Sequence, residues 1–258
     1  MLENYFNLRF CFDRKEVVQK IDEQLLKEGS DYITVADGVV LCTINRDPEY
    51  MRITNESMFS ICDSSFVPLY IKWIYGLERE QYSGSMIFEE LVASKKYRMF
   101  FLGSREKILA ALKQNLTENY NAACADMTFM SLPFKDVKEF DYPAIANMIE
   151  EDKSDIVWVC MGAPKQDIFM NLLKPHLHHG VMLGVGAAFK FYSGFDEKRA
   201  PEWMIKHHLE FVYRIFQDPK KQLIRCGWII YMLPKMFIEE LRKKHNKTLG
   251  NIKKACFF

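Results

Sequence analysis

Three times between residues 98 and 189, a short apolar run ends in glycine and gives way at once to a helix-forming segment. Arg98-Met-Phe-Phe-Leu runs into Gly103-Ser104, and residues 106–119 then read as a helix. Asp155-Ile-Val-Trp-Val-Cys-Met runs into Gly162, with a helix expected over 165–173. Gly180-Val-Met-Leu-Gly-Val-Gly186 leads into Ala187-Ala188-Phe189. Strand, glycine turn and helix in repetition imply parallel strands. The expected fold is α/β: a Rossmann-like parallel sheet with helices on both faces. Ligands of such folds bind at the carboxyl ends of the strands, where these glycine turns lie.

The remaining elements are read from periodicity and turn residues. Val17, Val18, Ile21, Leu25 and Leu26 make residues 14–28 an amphipathic helix. Residues 32–35 and 124–130 read as strands. Residues 39–44 suit either a strand or the start of a helix. Asp47-Pro48 begins a helix towards Ser57, and residues 66–76 form a buried one.

Of the 258 residues, 49% are apolar and 27% charged, which supports a core of normal size and excludes disorder for most of the chain. No apolar run approaches the length of a transmembrane helix. The first residues lack the basic and apolar regions of a secretory signal. The seven cysteines are odd in number and form no C-x-x-C pair, so neither a disulfide framework nor structural zinc is expected. His176, His178, His179, His207 and His208 read as surface residues, and no metal site is expected. The expected location is cytoplasmic.

A formal charge of +1 conceals an asymmetry. Residues 219–258 carry ten Lys or Arg against Glu239 and Glu240, whereas the preceding residues carry twenty-five basic against thirty-two acidic side chains. The expected organisation is therefore an α/β domain over 1–218 and a basic amphipathic appendage over 219–258. Trp228, Tyr231, Phe237 and long aliphatics interleave with the basic residues. That composition suits an anionic membrane interface. The other readings are a basic helix packed on its own domain and a nucleic-acid surface. Membrane is favoured, and no nucleic-acid partner is expected.

The turns at Gly103, Gly162 and Gly184–Gly186 are candidate phosphate cradles, because a helix N-terminus offers free N–H groups and a positive dipole end. Lys165 adds a point charge beside the second. None matches the dinucleotide fingerprint, and no P-loop is present.

Gly162-Ala-Pro-Lys-Gln-Asp, Gly184-Val-Gly-Ala-Ala-Phe, Lys198-Arg-Ala-Pro-Glu-Trp, Leu209-Glu-Phe-Val-Tyr-Arg and Asp218-Pro follow one another in that order. Together they resemble the WecG/TagA/CpsF family of bacterial glycosyltransferases, glycosyltransferase family 26, over about residues 15–230. The resemblance implies an inverting enzyme, independent of metal and cofactor. Its members move an N-acetylmannosamine-type sugar from a UDP donor to a polyprenyl-diphosphate-linked sugar. They act at the inner face of the cell membrane, in making teichoic acid, enterobacterial common antigen or capsule. The basic segment matches the family's membrane-docking appendage, thought to help close the active site.

The family's base, an aspartate ahead of a T-G pair, falls on Asp63, ahead of Ser83-Gly84. Phe59, Ile61, Phe66 and Val67 would raise the pKa of a buried Asp63 and strengthen it as a base; the competing role is a helix cap. The early T-x-N motif falls on Thr34, with Ala36 for asparagine and Asp37 next to it. Substrate contacts are expected from Thr34, Asp37, Gly84, Gly103, Gly162, Lys165, Gln166, Asp167 and Gly186. Arg199, Arg214 and Arg225 are expected to meet the leaving diphosphate, by bidentate contact. The sequence departs from the family pattern at Ser64 for glycine, Lys190 for aspartate and Asp167 for glutamate. A non-catalytic nucleotide-sugar-binding or scaffold protein of the same fold is the alternative. A nicotinamide-dependent oxidoreductase is disfavoured by the missing fingerprint.

Overall fold

The computed structural model describes residues 1–119, 126–186, 188–194 and 219–255, with Pro201, Met204, Val212, Tyr213 and Phe216 singly. Within 219–255, side chains are described at 219, 223–224 and 227–246.

Eight strands make one sheet: β1 (Glu3–Tyr5), β2 (Leu8–Phe10), β3 (Asp31–Ala36), β4 (Phe59–Cys62), β5 (Met99–Gly103), β6 (Met127–Met130), β7 (Ile156–Cys160) and β8 (Val181–Gly184). Their order is β1-β2-β4-β3-β8-β7-β5-β6. The β1–β2 pair is antiparallel and the other pairings are parallel. The sheet is thus the expected α/β arrangement with a hairpin added at one edge.

Alternate residues of the central strands enter opposite cores. Met99, Phe101, Ile156 and Trp158 pack on one face against α1 (Arg14–Leu25), α5 (Gly84–Ser94), α6 (Glu106–Asn119) and α9 (Ala188–Ser193). Phe100, Leu102, Val157 and Val159 face the other side, against α7 (Tyr142–Asp152) and α8 (Lys165–Leu173). Beside them α2 (Gly38–Ile44), α3 (Pro48–Asn55) and α4 (Phe66–Tyr75) cover β2 and the ends of β3 and β4.

Residues 39–44 resolve as a helix. The Asp37 carboxylate accepts hydrogen bonds from the Val39 and Val40 N–H groups at 2.8 and 2.9 Å, so Asp37 is the N-cap of α2. Aspartates cap α1 and α3 in the same way, at Asp13 and Asp47. Each such cap contributes about 1 kcal/mol.

The last helix, α10 (Pro219–Ala255), has 37 residues and crosses α2 and α4. Met232 and Met236 are buried beneath it, and so is Glu240. The Glu240 carboxylate accepts from the Phe6 N–H at 3.0 Å, the Tyr75 hydroxyl at 2.9 Å and Lys243 Nζ at 3.2 Å. One face of the basic segment is therefore packed on the domain. Its other faces expose Leu223, Ile224, Ile230, Tyr231 and Ile238. Among the described residues no helix is long and apolar enough to cross a membrane.

Candidate active site

Register places the ends of the central strands level. Ala36 pairs with Cys62, so Asp37 and Asp63 leave the sheet side by side. Gly103 pairs with Cys160 and Val159 with Gly184, so the three glycine turns also emerge along one edge. They border a cleft of about 1140 Å³ whose wall includes Asp37, Asp63, Gly84, Gly103, Gly162, Lys165, Gln166 and Gly186. Eight of the expected site residues thus share one cavity at the carboxyl edge of the sheet.

Asp63 does not cap the helix that follows it; α4 starts after Ser65, whose side chain makes no capping bond. Instead its Oδ1 accepts the Gly84 N–H at 3.0 Å, at the start of α5. Gln81 Nε2 bonds the Asp63 carbonyl at 2.6 Å and the Asp63 N–H reaches the Ala36 carbonyl at 3.1 Å. The aspartate and the small-residue pair singled out far apart in the chain are hydrogen-bonded to each other.

Gly103 has φ +98°, and a Cβ there would lie 2.8 Å from the Cys160 carbonyl oxygen. Only glycine permits both that left-handed turn and that approach. Pro164 is the N-cap of α8.

Gln166 is 3% exposed. Its Oε1 accepts the N–H groups of Gly162 at 3.0 Å and Gly186 at 3.1 Å, and its Nε2 donates to the Gly184 carbonyl at 2.7 Å. One amide therefore ties the β7–α8 turn to the β8–α9 turn, and two of the three proposed cradles have a backbone N–H directed at this side chain.

Lys165 donates to the Lys135 carbonyl and lies 4.8 Å from the Phe134 ring, at the loop forming that side of the cleft. Thr34 and Asp167 do not line the cleft. Thr34 is wholly buried and its hydroxyl meets that of Ser60 at 2.6 Å, joining β3 to β4. Asp167 is 0% exposed and accepts from the Tyr50 hydroxyl, which ties α8 to α3. Its other oxygen, Oδ1, has no hydrogen-bond partner.

Burial pushes the Asp167 carboxyl up to about 7; the Tyr50 bond lowers it and nearby Asp37 raises it. The folded chain then binds more protons here than the unfolded chain between about pH 4 and pH 7, so stability contributed by this group is lost as pH rises through that window. Asp167→Asn is expected to remove up to about 3 kcal/mol of that pH dependence. Melting curves of both proteins between pH 5 and pH 8 measure it; equal slopes would refute the assignment.

Tyr192 belongs to the core: it stacks on Phe88 with centroids 4.8 Å apart. His178 is exposed, and His179 meets Asp155 at 3.2 Å. Arg199, Arg214, Trp203, His207 and His208 lie outside the described residues, as does the side chain of Arg225.

The cleft also contains residues that the sequence reading did not select for it: Arg46 between α2 and α3, Arg105 before α6, and Ile224, Trp228 and Ile229 of α10. Ser104-Arg105 follows the first glycine turn directly, a signal that was available. Arg46 had no motif, and Trp228 becomes a wall only because α10 lies over α2. Among the described residues, no hydrogen bond or ion pair engages the guanidinium of Arg46 or of Arg105.

The model of the glycosyl transferase WecG/TagA/CpsF family matches residues 5–248. The chain belongs to this family. It is similar to the N-acetylglucosaminyldiphosphoundecaprenol N-acetyl-β-D-mannosaminyltransferase of Bacillus subtilis strain 168, 26% identical over 231 residues, covering 84% of each chain. The protein of the same description from Bacillus spizizenii is 24% identical over 193 residues, covering 74% of this chain and 72% of its own. Both the β5–β7–β8 edge and the Asp63–Gly84 contact fall within the matched residues.

Proposed function

We propose that the chain transfers an N-acetylmannosamine-type sugar from a UDP donor to a polyprenyl-diphosphate-linked N-acetylglucosamine, with inversion and without a metal ion. The observation that carries this reading is the division of the cleft. Asp63 and Asp37 stand at the ends of β4 and β3, while Arg105 and Lys165 stand at the ends of β5 and β7. The two Bacillus relatives carry the matching acceptor and sugar in their descriptions.

Asp63 takes the proton of the acceptor hydroxyl as its oxygen attacks the anomeric carbon. The bond from that carbon to the diphosphate oxygen breaks on the opposite face, so configuration inverts and UDP leaves with the electron pair. Basic side chains and helix N-termini meet the developing charge, a task in which prepositioned donors are worth several kcal/mol. Arg105, which lines the cleft beside the start of α6, meets the donor diphosphate in this reading.

The test is incubation with a panel of UDP-sugars and a short polyprenyl-diphospho-N-acetylglucosamine analogue, with EDTA present. Product and UDP are followed by mass spectrometry. One transferred hexosamine with inverted configuration supports the reading. Absence of product with every donor, alongside UDP binding, would favour a nucleotide-sugar-binding protein of this fold.

The membrane partner is part of the same proposal. On α4 and α10, Trp73 is 62% and Ile230 66% exposed. Phe237 joins the two helices, with its ring centroid 4.9 Å from Tyr70 and 6.4 Å from Trp73. Arg242 adds positive charge on α10, while Lys72 and Lys235 stand in ion pairs with Glu78 and Glu239 at 2.8 and 3.9 Å. Trp73→Ala is expected to weaken co-sedimentation with phosphatidylglycerol vesicles about tenfold. Retention by neutral phosphatidylcholine should be slight throughout, and equal retention on both vesicles would remove the electrostatic part of the proposal.

A further inference from the structure

The two arginines of the cleft stand on different elements and have different surroundings. Arg105 lies at the end of β5, among the glycine turns. Arg46 lies in the elbow between α2 and α3, and its guanidinium carbon sits 4.4 Å from the ring centre of Trp228 on α10. Neither guanidinium has a carboxylate partner among the described residues. The nearest acidic side chain in sequence, Asp47, accepts from the Glu49 and Tyr50 N–H groups at 3.0 and 3.1 Å and caps α3. An arginine fixed over an indole ring keeps its planar fork of donors pointing outward, which suits bidentate contact with phosphate oxygens.

The reaction proposed above brings two diphosphates into one cleft, one on the donor and one on the acceptor. We infer that the cleft holds them separately, and that Arg46 stacked on Trp228 is the subsite for the acceptor's lipid-linked diphosphate. This inference rests on the proposed transfer to a polyprenyl-diphosphate-linked sugar. The indole stack and the exposed apolar side chains of the helix that carries it assign the lipid-linked ligand to Arg46. Trp228 stacks on Arg46, Ile224 and Ile229 of the same helix also line the cleft, and Ile224 is 67% and its neighbour Leu223 59% exposed. A polyprenyl chain attached to a diphosphate at Arg46 can run out along this apolar flank. At Arg105 the neighbouring wall is made of glycine turns, a serine and the start of α6 with Ile108, which offer polar backbone to a nucleotide diphosphate, and the exposed Phe134 lies farther along, beside Lys165. Trp228 acts as a positioning residue, holding the guanidinium, and Arg46 touches the ligand.

The experiment is a pair of binding titrations on the full chain: UDP on one side, and farnesyl-diphospho-N-acetylglucosamine on the other, each measured by calorimetry without turnover. Arg46→Met is expected to weaken the farnesyl ligand about thirtyfold and to leave UDP within about twofold. Arg105→Met should do the reverse. Arg46→Lys should recover part of the loss, because charge is kept while the planar fork is not. Trp228→Leu should weaken the farnesyl ligand by about threefold, and raise the acceptor KM without lowering kcat. Equal weakening of both ligands by either arginine variant would mean a single anion site and overturn the inference. So would an Arg46→Met protein that binds the farnesyl ligand as well as the wild type, or a wild type that does not bind it. UDP binding by the same samples keeps these outcomes apart from failure of the donor half of the proposed function.

Discussion

Asp63→Asn is expected to lower kcat by about 10² to 10⁴ while leaving the fold and UDP affinity nearly intact. The amide is the same size as the carboxylate, and its oxygen can still accept the Gly84 N–H that Asp63 Oδ1 accepts at 3.0 Å. What is lost is the capacity to take a proton from the acceptor hydroxyl. The variant therefore separates two roles that share one side chain. If Asp63 only fixed the start of α5, asparagine would serve and turnover would persist. If it is the base, turnover collapses while the melting temperature moves by less than about 2 °C. Single-turnover rates on the lipid acceptor, with melting curves on the same samples, make the distinction. Wild-type rates in the variant would end the assignment of Asp63 as base.

The second large effect is expected at Gln166. Gln166→Glu preserves volume and can still accept from the Gly162 and Gly186 N–H groups, but an ionised carboxylate has no donor for the Gly184 carbonyl that Nε2 now reaches at 2.7 Å. At pH 7.5 a buried charge then faces a carbonyl oxygen, at a cost of about 2 to 3 kcal/mol and a melting temperature lower by about 5 to 10 °C. The sign of the pH dependence follows from the same geometry. Burial raises the introduced carboxyl's pKa, and the protonated form regains a donor for Gly184. The deficit should shrink towards pH 5. Because the two turns face the cleft, activity should fall about 10- to 100-fold at pH 7.5. A deficit that stays constant with pH would show that the Gly184 bond is not its source.

These two residues illustrate how unevenly the site could be read in advance. Asp63 was identified from the family resemblance, as the counterpart of the family's base ahead of a T-G pair, and the structure joins it to Gly84 by one hydrogen bond. Gln166 was expected to face the substrate, but its amide is directed at three backbone groups of two neighbouring turns. Thr34 and Asp167 were also placed among the substrate contacts, yet both are buried, against Ser60 and Tyr50. A motif records which residue types recur; it does not record whether a polar group faces a ligand or a partner from another element.

The sequence by itself determined the alternation of strand, glycine and helix across residues 98–189. It did so because glycine at a left-handed turn and an apolar strand are local requirements that neighbouring residues express. It left 39–44 undecided, since a seven-residue apolar helix and a buried strand have the same composition; the Asp37 cap settles it. The β1–β2 hairpin and β4 escaped notice because strands of three or four residues, buried by distant partners, carry too little periodicity to register. The course of α10 was also decided only by tertiary structure. Its basic, aromatic composition was plain in the chain, but which face is buried depends on Met232 and Met236 packing beside α2 and α4, and on Glu240 meeting the Phe6 amide and the Tyr75 hydroxyl. That packing brings Trp228 to Arg46, more than 180 residues earlier in sequence, and makes a surface arginine and a tail tryptophan part of one cleft. Contacts between residues so far apart depend on the register and crossing of whole elements, which no local pattern encodes.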